Sequence, residues 1–268
     1  MFFLPLFDDN KTNSTPLISW IIIGLCVLVF LWQSGLSPLA ERSVIVHYGV
    51  VPARLFSSYD FLTIVSSMFL HGGFLHLGSN MLYLWIFGDN VEDAMGKFRF
   101  IIFYLLCGMA AALTQALIDP SSPIPLIGAS GGIAGILGGY IMLYPKATIR
   151  VFMWIFIIIR LLNIPAWIVL GFWIGGQFLS VPAALEGGGG VAYFAHIGGF
   201  IAGMILVSLF KRSDVPLFGA SSGALPAWHI EASTNLRHDF RKSHVLEKQH
   251  RSGSVPGFKR RPKGPWDS

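Results

Sequence analysis

Five side chains able to do chemistry stand inside or beside long apolar runs of this chain: His71, His76, Asn80, Ser130 and His196. Ser130 sits in "GASGG" (128–132), between glycines, at the head of an apolar run. A serine hydroxyl becomes a nucleophile when a base lies within hydrogen-bond reach, and a neutral imidazole is a common base. His and Asn N–H groups can stabilise the oxyanion that such an attack creates. Each residue also has a plainer reading. A membrane serine is usually a small packing residue, and a membrane His or Asn often bonds a neighbouring helix.

Depth separates the two readings. Ser130 lies fifteen residues before Pro145, His196 fifteen before Lys211 and His76 thirteen before Asp89. At 1.5 Å per residue, all three stand ~20–22 Å above the inner ends of their spans. In a core ~30 Å thick they share one layer, ~8–10 Å below the outer surface. His76 and Asn80, four apart, share a helix face. Gly128, Gly131, Gly132, Gly135, Gly138 and Gly139 strip bulk from the run around Ser130, and Gly199-x-x-x-Gly203 does the same beside His196. Two such faces allow backbones to approach closely, which would bring His196 to Ser130. Ser130 also opens its helix, where unpaired N–H groups and the positive dipole end face a developing oxyanion. No carboxylate lies in this layer, so a Ser–His dyad is expected in place of a triad.

The elements that must position this layer follow from composition. The 268 residues are 53% apolar and 12% charged, with a mean hydropathy of +0.62. A soluble domain carries about twice that charge, so the chain reads as an all-α polytopic membrane protein. Six spans are expected, at 17–35, 74–93, 99–118, 129–144, 165–181 and 193–210. The apolar segment 151–163 reads as an interfacial or re-entrant lead-in to the fifth span. Seventeen of the nineteen Lys and Arg residues fall on the side shared by both termini, which places the termini in the cytoplasm. Residues 36–70 form an external segment at the interface. The division expected is a membrane domain over 1–212 and a basic, disordered cytoplasmic tail over 213–268. Cys26 and Cys107 read as packed thiols, and neither a metal site nor a cofactor is called for.

These residues resemble the rhomboid family of intramembrane serine proteases. "HGGFLHLGSNMLYLWIFGDNVEDAMG" is similar to the family's His-x-x-x-Asn span, with His76 and Asn80 in those positions. "GASGG" resembles its G-x-S-G motif, with Gly128 and the nucleophile Ser130. "AHIGGFIAG" resembles its A-H-x-x-G-x-x-x-G span, with His196 as the base. The chain departs from the family in two places. "YDFLTIVSSMFLHGG" lacks the Trp-Arg pair of many members' first external loop. Ala134 stands where some members have an aromatic that stacks on the catalytic His.

The resemblance implies a six-transmembrane-helix bundle and a serine endopeptidase in a cell (inner) membrane. It would cleave transmembrane protein substrates near the outer face, with the bilayer as its other partner and no nucleic acid. Ser130 would be nucleophile, His196 general base, and His76 and Asn80 oxyanion donors. The alternative is a catalytically inactive relative that binds membrane clients. A metal-dependent reading through His71, His76 and His196 lacks an intramembrane carboxylate. A transporter fits composition alone.

Overall fold

In lipid every backbone polar group must be satisfied internally, so long apolar runs fold as helices. The computed structural model describes residues 2–219 apart from 59, 156 and 186–190. A strand β1 (Phe2–Asp8) precedes α1 (Leu17–Ser34), followed by three short helices, α2 (Pro38–Tyr48), α3 (Pro52–Leu55) and α4 (Leu62–Ser67). Then come α5 (Phe74–Met95), α6 (Lys97–Ile118) and α7 (Ser130–Leu143). A hairpin of β2 (Thr148–Ile155) and β3 (Ile158–Pro165) leads into α8 (Ala166–Leu185) and α9 (Tyr193–Phe210).

Helices thus occupy the six segments read as spans. Among the described residues, α1, α6, α8 and α9 are long and apolar enough to cross a bilayer. α5 has the length but carries Asp89, Asn90, Glu92 and Asp93 near its end. α7 has 14 residues, ~21 Å of helix against a ~30 Å core. Irregular chain must therefore bring the backbone some way into the bundle before Ser130 starts the helix. Leu28, Leu31, Phe172, Leu179, Ile205 and Leu209 point outward as an apolar belt. The chain is a helical, polytopic integral membrane protein.

The segment 151–163, read as an interfacial or re-entrant lead-in to the fifth span, is the body of the β2–β3 hairpin, paired antiparallel from Thr148↔Pro165 to Ile155↔Ile158. β1 adds to the other edge of β2, from Phe2↔Trp154 to Asp8↔Ile149, giving sheet order β1-β2-β3. Thr148, Ile149, Val151, Ile155, Ile158, Ile159 and Ile164 make the segment β-branched, which suits a pleated surface better than a helix. Pro5 is tolerated because β1 is an edge strand. The all-α expectation describes the bundle, to which this small sheet is appended.

α7 is the axis of the core. Its glycines let neighbours touch its backbone: a Cβ on Gly203 of α9 would overlap the Gly135 carbonyl, one on Gly199 the Gly131 carbonyl, and one on Gly138 the Phe200 carbonyl. Cys107 and Tyr104 of α6 fill the grooves over Gly135 and Gly132. Phe87, Phe100, Phe103, Ile136, Leu137 and Tyr140 complete a fully buried centre.

At the end of α5 away from His76, the N-terminal segment is tied down by acids. Glu92 accepts from the N–H groups of Ile18 and Ser19 at 3.0 and 2.8 Å and from the Ser19 hydroxyl at 2.8 Å. It thereby caps α1, which has no side-chain cap of its own. Asp93 accepts from Ser14 Oγ and Asn13 N, and Asn90 bonds Asn10 and Asp8. Beyond α9 the chain folds back: Phe218 and Gly219 donate to the Met142 and Leu143 carbonyls that end α7, and Val215 and Leu217 pack on the core. Residues 213–219, expected in the tail, therefore pack with the bundle. The rest of the expected tail, from 220, lies outside the described residues.

Candidate active site

The site is assembled from the starts of three helices. Ser130 is the first residue of α7, where the earliest N–H groups have no intrahelical acceptor. The loop that delivers it is stitched to the segment before α5. Val50 and Leu126 exchange backbone bonds at 3.1 and 2.8 Å, Ala53 N donates to Ser122 O at 3.1 Å, and Gly128 N donates to Ser67 O at 2.9 Å. The segment expected at the interface is thus α2, α3 and α4, and α4 supports the loop. Gly128 has φ +120°, a conformation that favours glycine. A Cβ there would come within 2.8 Å of His76 Nε2 and 3.7 Å of Asn80 Nδ2. Gly128 is the open floor between these side chains.

His196 stands in the first turn of α9, and its Nε2 lies 2.8 Å from Ser130 Oγ. The close α7–α9 packing through Gly131, Gly135, Gly199 and Gly203 makes this distance attainable. His76 and Asn80 project from the first two turns of α5. Gly72 N donates to His76 Nδ1 at 3.2 Å. A neutral imidazole so bonded carries its proton on Nε2, the nitrogen beside Gly128. Asn80 is buried, and its Nδ2 has no acceptor among the described residues. Ser130, His76 and His196 are only part-buried, so the layer remains open at this end of the bundle. The structure brings Ser130, His196, His76, Asn80 and Gly128 to one place.

His71 is set apart. It is fully buried in the loop before α5, with its ring centroid 5.2 Å from that of His76. Burial, with His76 beside it, pushes its imidazole down to about 4, so it is neutral near pH 7.

Three glutamines that the sequence reading passed over hold the parts together. Gln33 of α1 makes two bonds to the His71 backbone, at 3.1 and 3.2 Å, fixing the loop that feeds α5. Gln115 of α6 accepts from Ala195 N at 3.3 Å, beside His196. Gln177 of α8 places Oε1 2.8 Å from His196 Nδ1, while its Nε2 donates to the Trp173 carbonyl at 3.2 Å. Trp173 itself lies against His196, ring centroids 5.7 Å apart at 37°. An aromatic from α8 thus packs on the histidine, whereas Ala134 of α7 is buried and small. The available signal was a polar side chain inside an apolar span, with an aromatic four residues before it on the same face.

The family model for the Rhomboid domain matches residues 58–228. The chain is 28% identical to Rhomboid protein 1, mitochondrial, of Saccharomyces cerevisiae, over 75% of this chain and 55% of that protein. It is 30% identical to the Rhomboid protease GluP of Bacillus subtilis, over 47% and 24%. It is 28% identical to Rhomboid-like protease 3 of Toxoplasma gondii, over 66% and 62%. The chain therefore spans less than two thirds of each of these relatives. With the matched domain covering more than half of its length and enclosing every residue of the site, the chain belongs to the rhomboid family.

Proposed function

We propose that the chain is a serine endopeptidase that cleaves transmembrane protein substrates within the bilayer, near its outer face, with both termini in the cytoplasm. The observation that carries the reading is the 2.8 Å contact between Ser130 Oγ and His196 Nε2. Ser130 attacks the scissile carbonyl as His196 Nε2 takes its proton, and the carbonyl oxygen becomes an oxyanion. His76 Nε2–H, Asn80 Nδ2 and the free N–H groups at the start of α7 are the donors available to it. The intermediate collapses, and the leaving amine receives the proton from His196. Water then repeats the sequence on the acyl-serine ester, with His196 again as base. The unpaired amide of Asn80 supports this assignment, since a buried donor without an acceptor is costly unless another species supplies one. No carboxylate takes part, so the pair acts as a dyad. A relative that only binds clients would have no need of this serine–histidine contact.

Fluorophosphonate labelling and cleavage of a transmembrane model substrate test the reading directly. Purified Ser130→Ala should lose both while melting like wild type, because one hydroxyl leaves a helix of small residues. His196→Ala should lose cleavage as completely, since an unassisted serine is a poor nucleophile. Wild-type cleavage by folded Ser130→Ala would end the protease reading.

A further inference from the structure

We propose that Gln177 is the positioning residue of the His196 base, receiving the Nδ1 proton so that the Nε2 lone pair faces Ser130. Two contacts define the arrangement. Gln177 Nε2 donates to the Trp173 carbonyl one turn back on α8, at 3.2 Å, which fixes the orientation of the amide. The other end of the amide, Oε1, then faces His196 Nδ1 at 2.8 Å. An amide oxygen only accepts, so Nδ1 must be the protonated nitrogen. A neutral imidazole has one N–H, which leaves Nε2 bare and 2.8 Å from the Ser130 hydroxyl. The rotamer is held as well as the tautomer, because Trp173 packs on the imidazole and is itself stacked near Phe200 of α9, centroids 6.3 Å apart.

The chemistry suits the location. Serine triads assign this task to a buried carboxylate, which also stabilises the imidazolium formed on attack. A carboxylate at this depth of a bilayer is expensive. An amide supplies an acceptor and a dipole without a charge, giving up some imidazolium stabilisation in exchange. Gln177 touches no reacting atom and acts only through His196. The catalytic consequence rests on the protease reading, whereas the tautomer assignment rests on geometry alone.

The experiment uses the full chain in detergent, labelled with 15N-histidine, as wild type, Gln177→Leu and Gln177→Glu. The His196 resonances are identified by their absence from His196→Ala. Wild type should show His196 protonated on Nδ1, and Gln177→Leu should show mixed tautomers. Cleavage and fluorophosphonate labelling should fall ~10–10²-fold in Gln177→Leu, the range seen when partners that orient metal-binding histidines are removed. The loss should appear in kcat with KM little changed. Gln177→Glu restores an acceptor and should recover activity relative to Gln177→Leu. A purely structural glutamine predicts the reverse ranking, because leucine is the better residue in an apolar span. A wild-type His196 protonated on Nε2 overturns the proposal, as does a Gln177→Leu chain with wild-type tautomer and rate. If the wild-type chain shows the expected tautomer but neither cleaves nor labels, the protease reading falls and the role of Gln177 stands.

Discussion

α5 carries polar side chains at both ends, and the two ends treat them in opposite ways. At its last turns Asn90, Glu92 and Asp93 are buried, and each finds partners in the N-terminal segment: helix N–H groups, serine hydroxyls and an asparagine amide. At its first turns the buried Asn80 Nδ2 has no acceptor among the described residues, and His76 directs Nε2 at the bare backbone of Gly128. Burial of a polar group is common to both ends. Unmet hydrogen-bonding capacity belongs to one. A satisfied network stabilises a fold, whereas an unsatisfied donor beside a nucleophile is available to a substrate.

The comparison can be broken by substitution. The largest effect is expected where α9 closes on α7, at Gly199. A valine there would drive carbon into the Gly131 carbonyl, which cannot swing aside as a side chain could. Gly199→Val should cost more than ~3 kcal/mol, beyond ordinary overpacking, and lower Tm and labelling together. Near-wild-type values for both would show that the interface can yield. Asn80→Ala should separate the two quantities. Turnover falls by roughly 10–10³-fold while Tm hardly moves, because the Nδ2 it removes has no acceptor among the described residues. A large drop in Tm would reassign Asn80 to the stabilising class.

Glu92→Ala should show the converse. It strips the cap from α1 and leaves buried donors unpaired, a loss of about 2–4 kcal/mol. Labelling per folded molecule should be unchanged, and a selective loss of labelling would link the two ends functionally. A pH-dependent effect concerns Asp8. Burial, opposed by the Tyr140 hydroxyl bond and reinforced by Asp89 and Asp9, raises its carboxyl from 3.8 to about 7. The folded state therefore holds the proton more tightly than the unfolded state. The stability it contributes is fully present below pH 3.8 and is lost as pH rises through about 7. Melting curves from pH 4 to 8 should show Tm falling in that window, with a shallower fall in Asp8→Asn. Parallel profiles for the two chains would assign the pH dependence elsewhere.

The candidate site was legible in the sequence because its members announce themselves by type, depth and small neighbours. Ser130, His196, His76 and Asn80 are rare side chains in apolar runs, and Gly199 and Gly203 mark a contact face by spacing alone. Gln33, Gln115 and Gln177 carry a weaker mark, that of a polar side chain in an apolar span. A single glutamine in a span has no periodicity, and its meaning depends on a partner distant in sequence, as Gln115 depends on Ala195. The hairpin failed for a different reason. "VFMWIFIIIRLLN" is apolar enough for a membrane helix, and only its β-branched content argued for strands. β1 needed a partner on the far side of α7, which no local pattern supplies. Residues 213–219 looked polar enough for a tail, yet their backbone N–H groups complete the end of α7.

On the protease reading proposed above, the backbone contact between α7 and α9 would also set when the protein can act. Chains are made from the N-terminus and domains generally fold in that order. A nascent chain inserted as far as α8 possesses Ser130, the oxyanion donors and Gln177, but lacks His196. Without a base beside it, Ser130 of such a chain would remain an ordinary alcohol. Competence arrives only when the last span enters and its glycines close on those of α7. On that reading the order of the helices would act as a timer, keeping the proposed hydrolase inert among unfinished neighbours until its own synthesis is nearly over.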